Sequence, residues 1–247
     1  MELKDSVVVV TGAASGLGAG AADWLNDNGA RVTGVDINPI PNQLGAAGVD
    51  GRICDIASEA EVIAALDAVV ARHGRLDAIV NCAGIVKTRR LYDESGPFPL
   101  DLFRRTLEVN LTGTFLMMAH GAERMARNTP NRDGERGCFV NVASIAAFDK
   151  SSSIAYAASK GGVVSMSMTA AHDLARYGIR TMAIAPGYMD TPMFAGLEPG
   201  YVEKLKEGIV FPKRLARMEE FGALVGSILT NAYLNATAIR FDAGARV

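Results

Sequence analysis

The sequence predicts a doubly wound α/β fold, a seven-stranded parallel sheet with helices on both faces, in a single domain spanning 1–247. Three observations predict it. The run VVVVTGAASGLGAG joins a β-branched strand to an Ala-rich helix through a glycine loop, strand-like apolar runs then alternate with helical stretches along the chain, and several of those runs end in loops of small residues. No linker-like stretch divides the chain, which is long enough to bury one full core.

Ser6 to Val10 reads as a strand buried on both faces because the run is continuously apolar and β-branched after its first residue. In Thr11 to Gly18, Gly12, Gly16 and Gly18 permit either a merely tight turn or the close approach of backbone to a diphosphate, whose charge the next helix N-terminus would meet. That helix runs to about Asn28 and stops at Gly29. The second strand, Ala30 to Val35, delivers Asp36 at its carboxyl end, where an acid either accepts from an adenosine ribose or simply ends the strand. As a ribose ligand it would repel a 2′-phosphate, and neither Ser15 nor Ile37 brings a compensating cation, so NAD is preferred over NADP.

A polar connection, Asn38 to Gly48, precedes a brief third strand ending near Cys54-Asp55-Ile56, with Asp55 either an adenine contact or the polar residue that opens the next element. Ser58 with Glu61 forms a capping-box pattern for a helix that ends near His73-Gly74. Leu76 to Cys82 is the fourth strand, and Asn81-Cys82-Ala83-Gly84 is a small-residue loop on the edge where open parallel sheets bind ligands. From Val86 to Pro99 comes an insertion carrying Lys87, Arg89 and Arg90, either a solvated loop or a basic contact for an anionic substrate tail.

A long helix follows from about Asp101 to Arg127. It contains Asn110 among apolar neighbours, unfavourable there unless its amide has work or finds a backbone partner. Cys138 to Val142, the fifth strand, places Ser144 at its carboxyl end, and Ile179 to Ala185, the sixth, ends at Pro186-Gly187. Between them Tyr156 and Lys160 stand four apart in a helical run, so both project from one face. They are an ordinary surface pair, or an ammonium that lowers the phenol pKa and makes Tyr156 a general base. The stretch 188–218 mixes Met189, Met193 and Phe194 with glycine and proline, as a lid over an apolar pocket or an excursion packed on the core. A helix near Glu219 to Thr230 and a seventh strand, Thr237 to Phe241, complete the sheet.

Apolar residues make up 49% of the chain and charged residues 21%, which excludes a disordered or fibrous class. A formal net charge of −2 offers no global attraction for nucleic acid or an anionic membrane, so neither is expected as a partner. Cys54, Cys82 and Cys138 are odd in number and sit in or beside apolar runs, as reduced thiols do, and the three scattered histidines make no metal triad. The opening MELKDSVVVVTG enters a strand at once without a basic and apolar leader, and the expectation is a cytoplasmic protein.

Taken together, the glycine loop, Asn81-Cys82-Ala83-Gly84, Asn110, Ser144, Tyr156-Ala157-Ala158-Ser159-Lys160 and Pro186-Gly187 resemble the short-chain dehydrogenase/reductase family over the whole chain. The stretches NCAGI, NTPNRDGERG, IRTMAIAPGYMDTPM, FPKRL and IRFDAGAR are similar to its branch acting on 3-hydroxyacyl-CoA and hydroxysteroids. Two departures are Cys82, where the family commonly has Asn, and Asp242-Ala243-Gly244 in place of Asp-Gly-Gly; neither removes a chemical group. The resemblance implies a Rossmann-type sheet and hydride transfer between a secondary alcohol or ketone, the small-molecule substrate, and NAD. It implies Tyr156 as acid/base, Lys160 lowering its pKa and holding the nicotinamide ribose, Ser144 on the substrate oxygen, and Asn110 anchoring a water relay. It implies cofactor contacts from Gly12, Ser15, Gly16, Leu17, Gly18, Asp36, Asp55, Ile56, Asn81, Ala83, Gly84, Pro186, Gly187 and Thr191, besides Tyr156 and Lys160. It also implies a homotetramer, for which Ala155, Ala158, Gly161 and Gly162 would allow close helix approach, unless they pack on the protein's own sheet. A sugar, polyol or xenobiotic alcohol dehydrogenase, an NADPH-dependent 3-oxoacyl reductase and an NAD-binding sensor without turnover are the rival readings.

Overall fold

Val7–Thr11 is buried throughout and forms an interior strand, β1, of a computed structural model that describes residues 1–41, 48–191 and 198–246. A strand apolar on both faces must be covered on both, and here the alternation decides which side chain goes where. Val8 and Val10 face a core built with Leu25 and Phe221, whereas Val7 and Val9 face a second core with Leu66, Met117 and Phe139. The main sheet has, among the described residues, seven strands: β1, β2 (Arg31–Asp36), β3 (Asp50–Ile53), β4 (Ala78–Asn81), β5 (Gly137–Val142), β6 (Ile179–Pro186) and β7 (Ala238–Phe241). They pair in parallel in the order β3-β2-β1-β4-β5-β6-β7.

Of helices α1 (Gly16–Asp27), α2 (Glu59–His73), α3 (Leu100–Leu107), α4 (Thr114–Met125), α5 (Ile154–Leu174), α6 (Pro199–Glu207) and α7 (Met218–Thr230), α1, α2, α4, α5 and α7 supply the covering layers, and α3 and α6 stand apart from the sheet. The first core takes residues of α1 and α7, and the second takes residues of α2 and α4. Strand order reverses between β1 and β4, so the loops leaving their carboxyl ends diverge and open a crevice.

The single helix expected from Asp101 to Arg127 is two helices joined by a π-helical segment, Glu108–Gly113. Asn110 accounts for its position. Its Oδ1 accepts from the Ile85 N–H at 2.7 Å and its Nδ2 donates to the Ile85 carbonyl at 2.9 Å, which draws the helix toward the loop after β4. The capping box expected at Ser58 is also replaced: Ser58 makes no side-chain cap bond, and Glu61 Oε2 accepts instead from the Asp55 N–H at 2.8 Å. The insertion after β4 folds back as a short antiparallel pair, Tyr92–Asp93 with Gly96–Pro97. Of the expected lid, α6 is one part; Met193, Phe194 and Leu197 lie outside the described residues.

Candidate active site

The carboxyl ends of the strands surround a cleft of roughly 400 Å³. At one end is the glycine loop. Gly12 has φ +69°, and a Cβ on it would stand 2.9 Å from the Ala83 Cα, so the loops after β1 and β4 touch through bare backbone. Thr11 Oγ1, accepting from the Ala83 N–H at 3.1 Å, ties them together. A Cβ on Gly18 would strike the Gly12 carbonyl, so a bare glycine there keeps the loop folded tightly over the start of α1. No acidic residue stands in the first turn of α1, and Ser15 makes no side-chain cap bond, so the positive helix end is open to an anion. These features fit a dinucleotide diphosphate.

Asp36, at the end of β2, flanks that loop. Its Oδ2 accepts from the Ala14 N–H at 3.1 Å and its Oδ1 from the Asn38 N–H at 2.9 Å, which fixes the carboxylate beside the cleft. Beyond it lie Asp55 and Ile56, and facing them from α3 is Arg105, whose Nη2 is 3.4 Å from Asp55 Oδ2. Sequence reasoning missed Arg105. Its spacing to Glu108, which it also pairs at 3.0 Å, reads as a surface pair on one helix, and nothing in that pattern points across a cleft.

At the other end stand Ser144, Tyr156 and Lys160. Ser153 caps α5 by accepting from the Tyr156 N–H at 3.4 Å, so the helix begins just before the phenol and presents it to the cleft. Ser144 Oγ accepts from the Ala146 N–H at 3.1 Å. A hydrogen bond with Ser144 favours the Tyr156 phenolate, but burial acts more strongly and pushes the phenol pKa up. The expected lowering by Lys160 is therefore not what this structure gives. Lys160 is only 4% exposed, its Nζ donates to the Val142 carbonyl at 2.6 Å, and it stands 5.7 Å from the Tyr156 ring centroid. Burial lowers the lysine to about 8.

The cleft is also lined by Gly16, Leu17, Ala83, Gly84, Pro186, Gly187 and Thr191, and by Cys82 and Met189, which are not among the expected cofactor contacts. Burial pushes the Cys82 thiol up to about 12, so it is a neutral wall residue. Asn81 is a correction. Its side chain is turned into the sheet, 2% exposed, and its Nδ2 donates to Asn141 Oδ1 at 2.8 Å across the β4–β5 pair instead of facing the cleft. Asn110 sits behind the wall. Its amide is committed to Ile85 and, at 3.0 Å, to Ser159 Oγ, and bare Gly84 lies between it and Lys160, since a Cβ there would be 3.2 Å from Asn110 Oδ1 and 3.4 Å from Lys160 Nζ.

Of the three basic residues in the insertion, Arg89 is used locally, bonded to Ser95 Oγ and paired with Asp93, while Lys87 and Arg90 are exposed. Among the described residues no group of His, Cys, Asp or Glu is placed to hold a metal ion, and no helix is long and apolar enough to cross a membrane.

Comparison with known proteins adds an independent line. A family model described as short chain dehydrogenase matches residues 6–201. The 3-hydroxyacyl-CoA dehydrogenase type-2 of Homo sapiens is 39% identical, over 99% of this chain and 97% of that protein. Ipsdienol dehydrogenase of Ips pini is 32% identical over 100% of this chain and 99% of its own. The crystal structure of 3-hydroxyacyl-CoA dehydrogenase type-2 from Mycobacterium avium matches with a TM-score of 0.90 at 32% identity, covering 100% of this chain and 97% of that one.

Proposed function

Because the chain belongs to the short-chain dehydrogenase family and is thus an oxidoreductase of CH–OH groups, we propose that it is an NAD-dependent dehydrogenase of 3-hydroxyacyl-CoA or a closely similar secondary alcohol. One observation carries this reading: Ser144, Tyr156 and Lys160 gather at one end of a cleft whose other end is the glycine loop and Asp36.

Gly12, Ser15 and Leu17 with the N-terminus of α1 would hold the diphosphate, Asp36 the adenosine ribose, Asp55 and Ile56 the adenine, and Pro186, Gly187 and Thr191 the nicotinamide end. Bound NAD supplies the hydride acceptor and, while oxidised, a positive charge. The protein supplies the proton transfer and the geometry. In oxidation the Tyr156 oxygen takes the hydroxyl proton of the substrate, while the Ser144 hydroxyl donates to the same substrate oxygen as it becomes a carbonyl. Lys160, held on the Val142 carbonyl, holds the ribose. Asn110 stands behind it, bracing the Ile85 loop and Ser159 as the anchor of a relay to the lysine.

Asp36 supports NAD over NADP, since its fixed carboxylate accepts from a 2′-hydroxyl and repels a 2′-phosphate. Lys87 and Arg90 are the exposed cations available to a CoA phosphate. A homotetramer is supported by α4 and α5, where Phe115, Ala158 and Met168 are exposed and a Cβ on Gly161 would meet nothing; Ala155 and Gly162 pack within the chain. Buried Cys54 and Cys138 suit a reducing cytoplasm.

The test is to follow NADH absorbance with purified protein over a panel of 3-hydroxyacyl-CoAs, hydroxysteroids, polyols and small secondary alcohols, with NAD and NADP in parallel. Fastest turnover on a 3-hydroxyacyl-CoA with NAD is expected. Turnover confined to polyols, or to NADP, would contradict the corresponding half of the proposal. Replacing Lys87 and Arg90 together by Ala should raise KM for the acyl-CoA about tenfold and leave a neutral alcohol unaffected.

A further inference from the structure

Arg240, on the last strand, makes more connections than its place at the sheet edge requires. Its guanidinium takes both carboxylate oxygens of Asp149, one of them at 3.1 Å, donates through Nε to Asp242 Oδ2 at 2.6 Å, and reaches the Ala245 carbonyl at 3.1 Å. Its Cζ also lies 5.7 Å from the centre of the Phe148 ring. Phe148 and Asp149 end the short turn that begins at Ser144: Ile145–Ala147 is a single 3₁₀ turn, and the Phe148 and Asp149 N–H groups both donate to the Ile145 carbonyl at 2.9 Å. Arg240 therefore grips the turn that carries Ser144 by its far end.

The segment after Arg240 holds two further walls. The Gly187 N–H donates to the Phe241 carbonyl at 2.9 Å, and a Cβ on Gly187 would stand 2.8 Å from that of Asp242. Beyond α6, the Val210 and Phe211 N–H groups both donate to the Ala243 carbonyl, at 3.1 and 3.3 Å. Ala243 adopts φ +50° in this geometry, a left-handed conformation that is strained for a non-glycine residue. Such strain persists where the surroundings over-determine it. Here Asp242 Oδ1 accepts from the Gly244 N–H at 3.0 Å, and Ala245 is fully buried.

We propose that Arg240 and residues 242–246 form a brace that fixes the substrate side of the cleft, making Arg240 a positioning residue that acts on Ser144 through Asp149 while also tying down the chain after α6. The consequence for chemistry rests on the Ser144 and Tyr156 roles proposed above; the brace itself does not.

Two readouts keep those apart. Hydrogen exchange at 144–149 and 209–211 should speed up about tenfold in Arg240→Met, and unchanged exchange overturns the brace whatever the kinetics. In the same variant kcat/KM for the alcohol should fall at least about tenfold while the NADH dissociation constant stays within about twofold. Arg240→Lys, which lacks a planar fork able to hold both acids, should fall between. Arg124→Met is the control, because it removes a comparable pairing with Asp67 between α4 and α2. It should lower stability and leave kcat/KM within about twofold; an equal kinetic loss in that control would assign the Arg240 effect to general destabilisation and overturn the proposal. Asp149→Asn, losing the charge but not the shape, should reproduce the Arg240→Met result, and it replaces that variant if the latter does not fold. If exchange accelerates as expected but turnover does not change, the positioning role of Arg240 is overturned and only the mechanical brace stands.

Discussion

At the scale of single residues, burial and pairing compete, and the distances decide between them. Helical spacing brings Tyr156 and Lys160 to one cleft, but spacing cannot show that the ammonium is spent on the Val142 carbonyl or that desolvation governs both groups. The lysine gives a stability prediction with a definite sign. Its folded pKa of about 8 lies below the ordinary 10.5, so between those values the unfolded chain binds a proton that the native state does not. Stability then rises with pH across that window and is lost as pH falls back through it. Relative to Lys160→Met, the wild type should gain up to about 3 kcal/mol of unfolding free energy between pH 8 and 10.5. Denaturant titrations of both proteins at several pH values would show it, and parallel pH dependence would count against a neutral buried lysine. Asn81 teaches the same lesson from the other side. It belongs to a loop motif by sequence, yet β4 runs through it, and strand alternation turns its amide onto Asn141.

At the scale of elements, the strands and the glycine loop were legible because each obeys a local rule: a β-branched run needs cover on both faces, and backbone can approach backbone only without a Cβ. Gly12→Ala should therefore weaken NADH binding at least about tenfold, measured by fluorescence titration, since the new methyl strikes the Ala83 backbone at a φ that Ala resists. The π-helical segment was not legible. Its cause is a long-range pairing of Asn110 with Ile85, twenty-five residues away, and helix periodicity carries no record of such a partner. Asn110→Ala strips both Ile85 backbone groups of their partner and should cost about 2–3 kcal/mol, seen as a fall of roughly 5–10 °C in Tm. An unchanged Tm would mean that the segment has another cause. The capping box failed for a similar reason, because Glu61 serves a backbone N–H at Asp55 instead of the cap.

At the scale of the whole molecule, strand order turns scattered motifs into one site. Asp36, the glycine loop, the β4 loop, Ser144 and Pro186-Gly187 come from distant parts of the sequence, and all leave carboxyl ends of adjacent parallel strands. The sequence could announce each motif and its order; the distances between them exist only in the fold. Arg105 and Arg240 act between elements, and so neither had a local signature. Cofactor choice belongs to this scale too, because in the proposed binding mode one carboxylate, Asp36, sets the charge beside the adenosine ribose. Asp36→Ala should narrow the preference for NAD over NADP at least about tenfold, read from kcat/KM for each. The most direct test of the central claim, that the phenol of Tyr156 moves the proton accompanying hydride transfer, is steady-state turnover of Tyr156→Phe together with its NADH affinity. A loss of at least about a hundredfold in kcat with affinity within about twofold is the expected result, and near-normal turnover would contradict it.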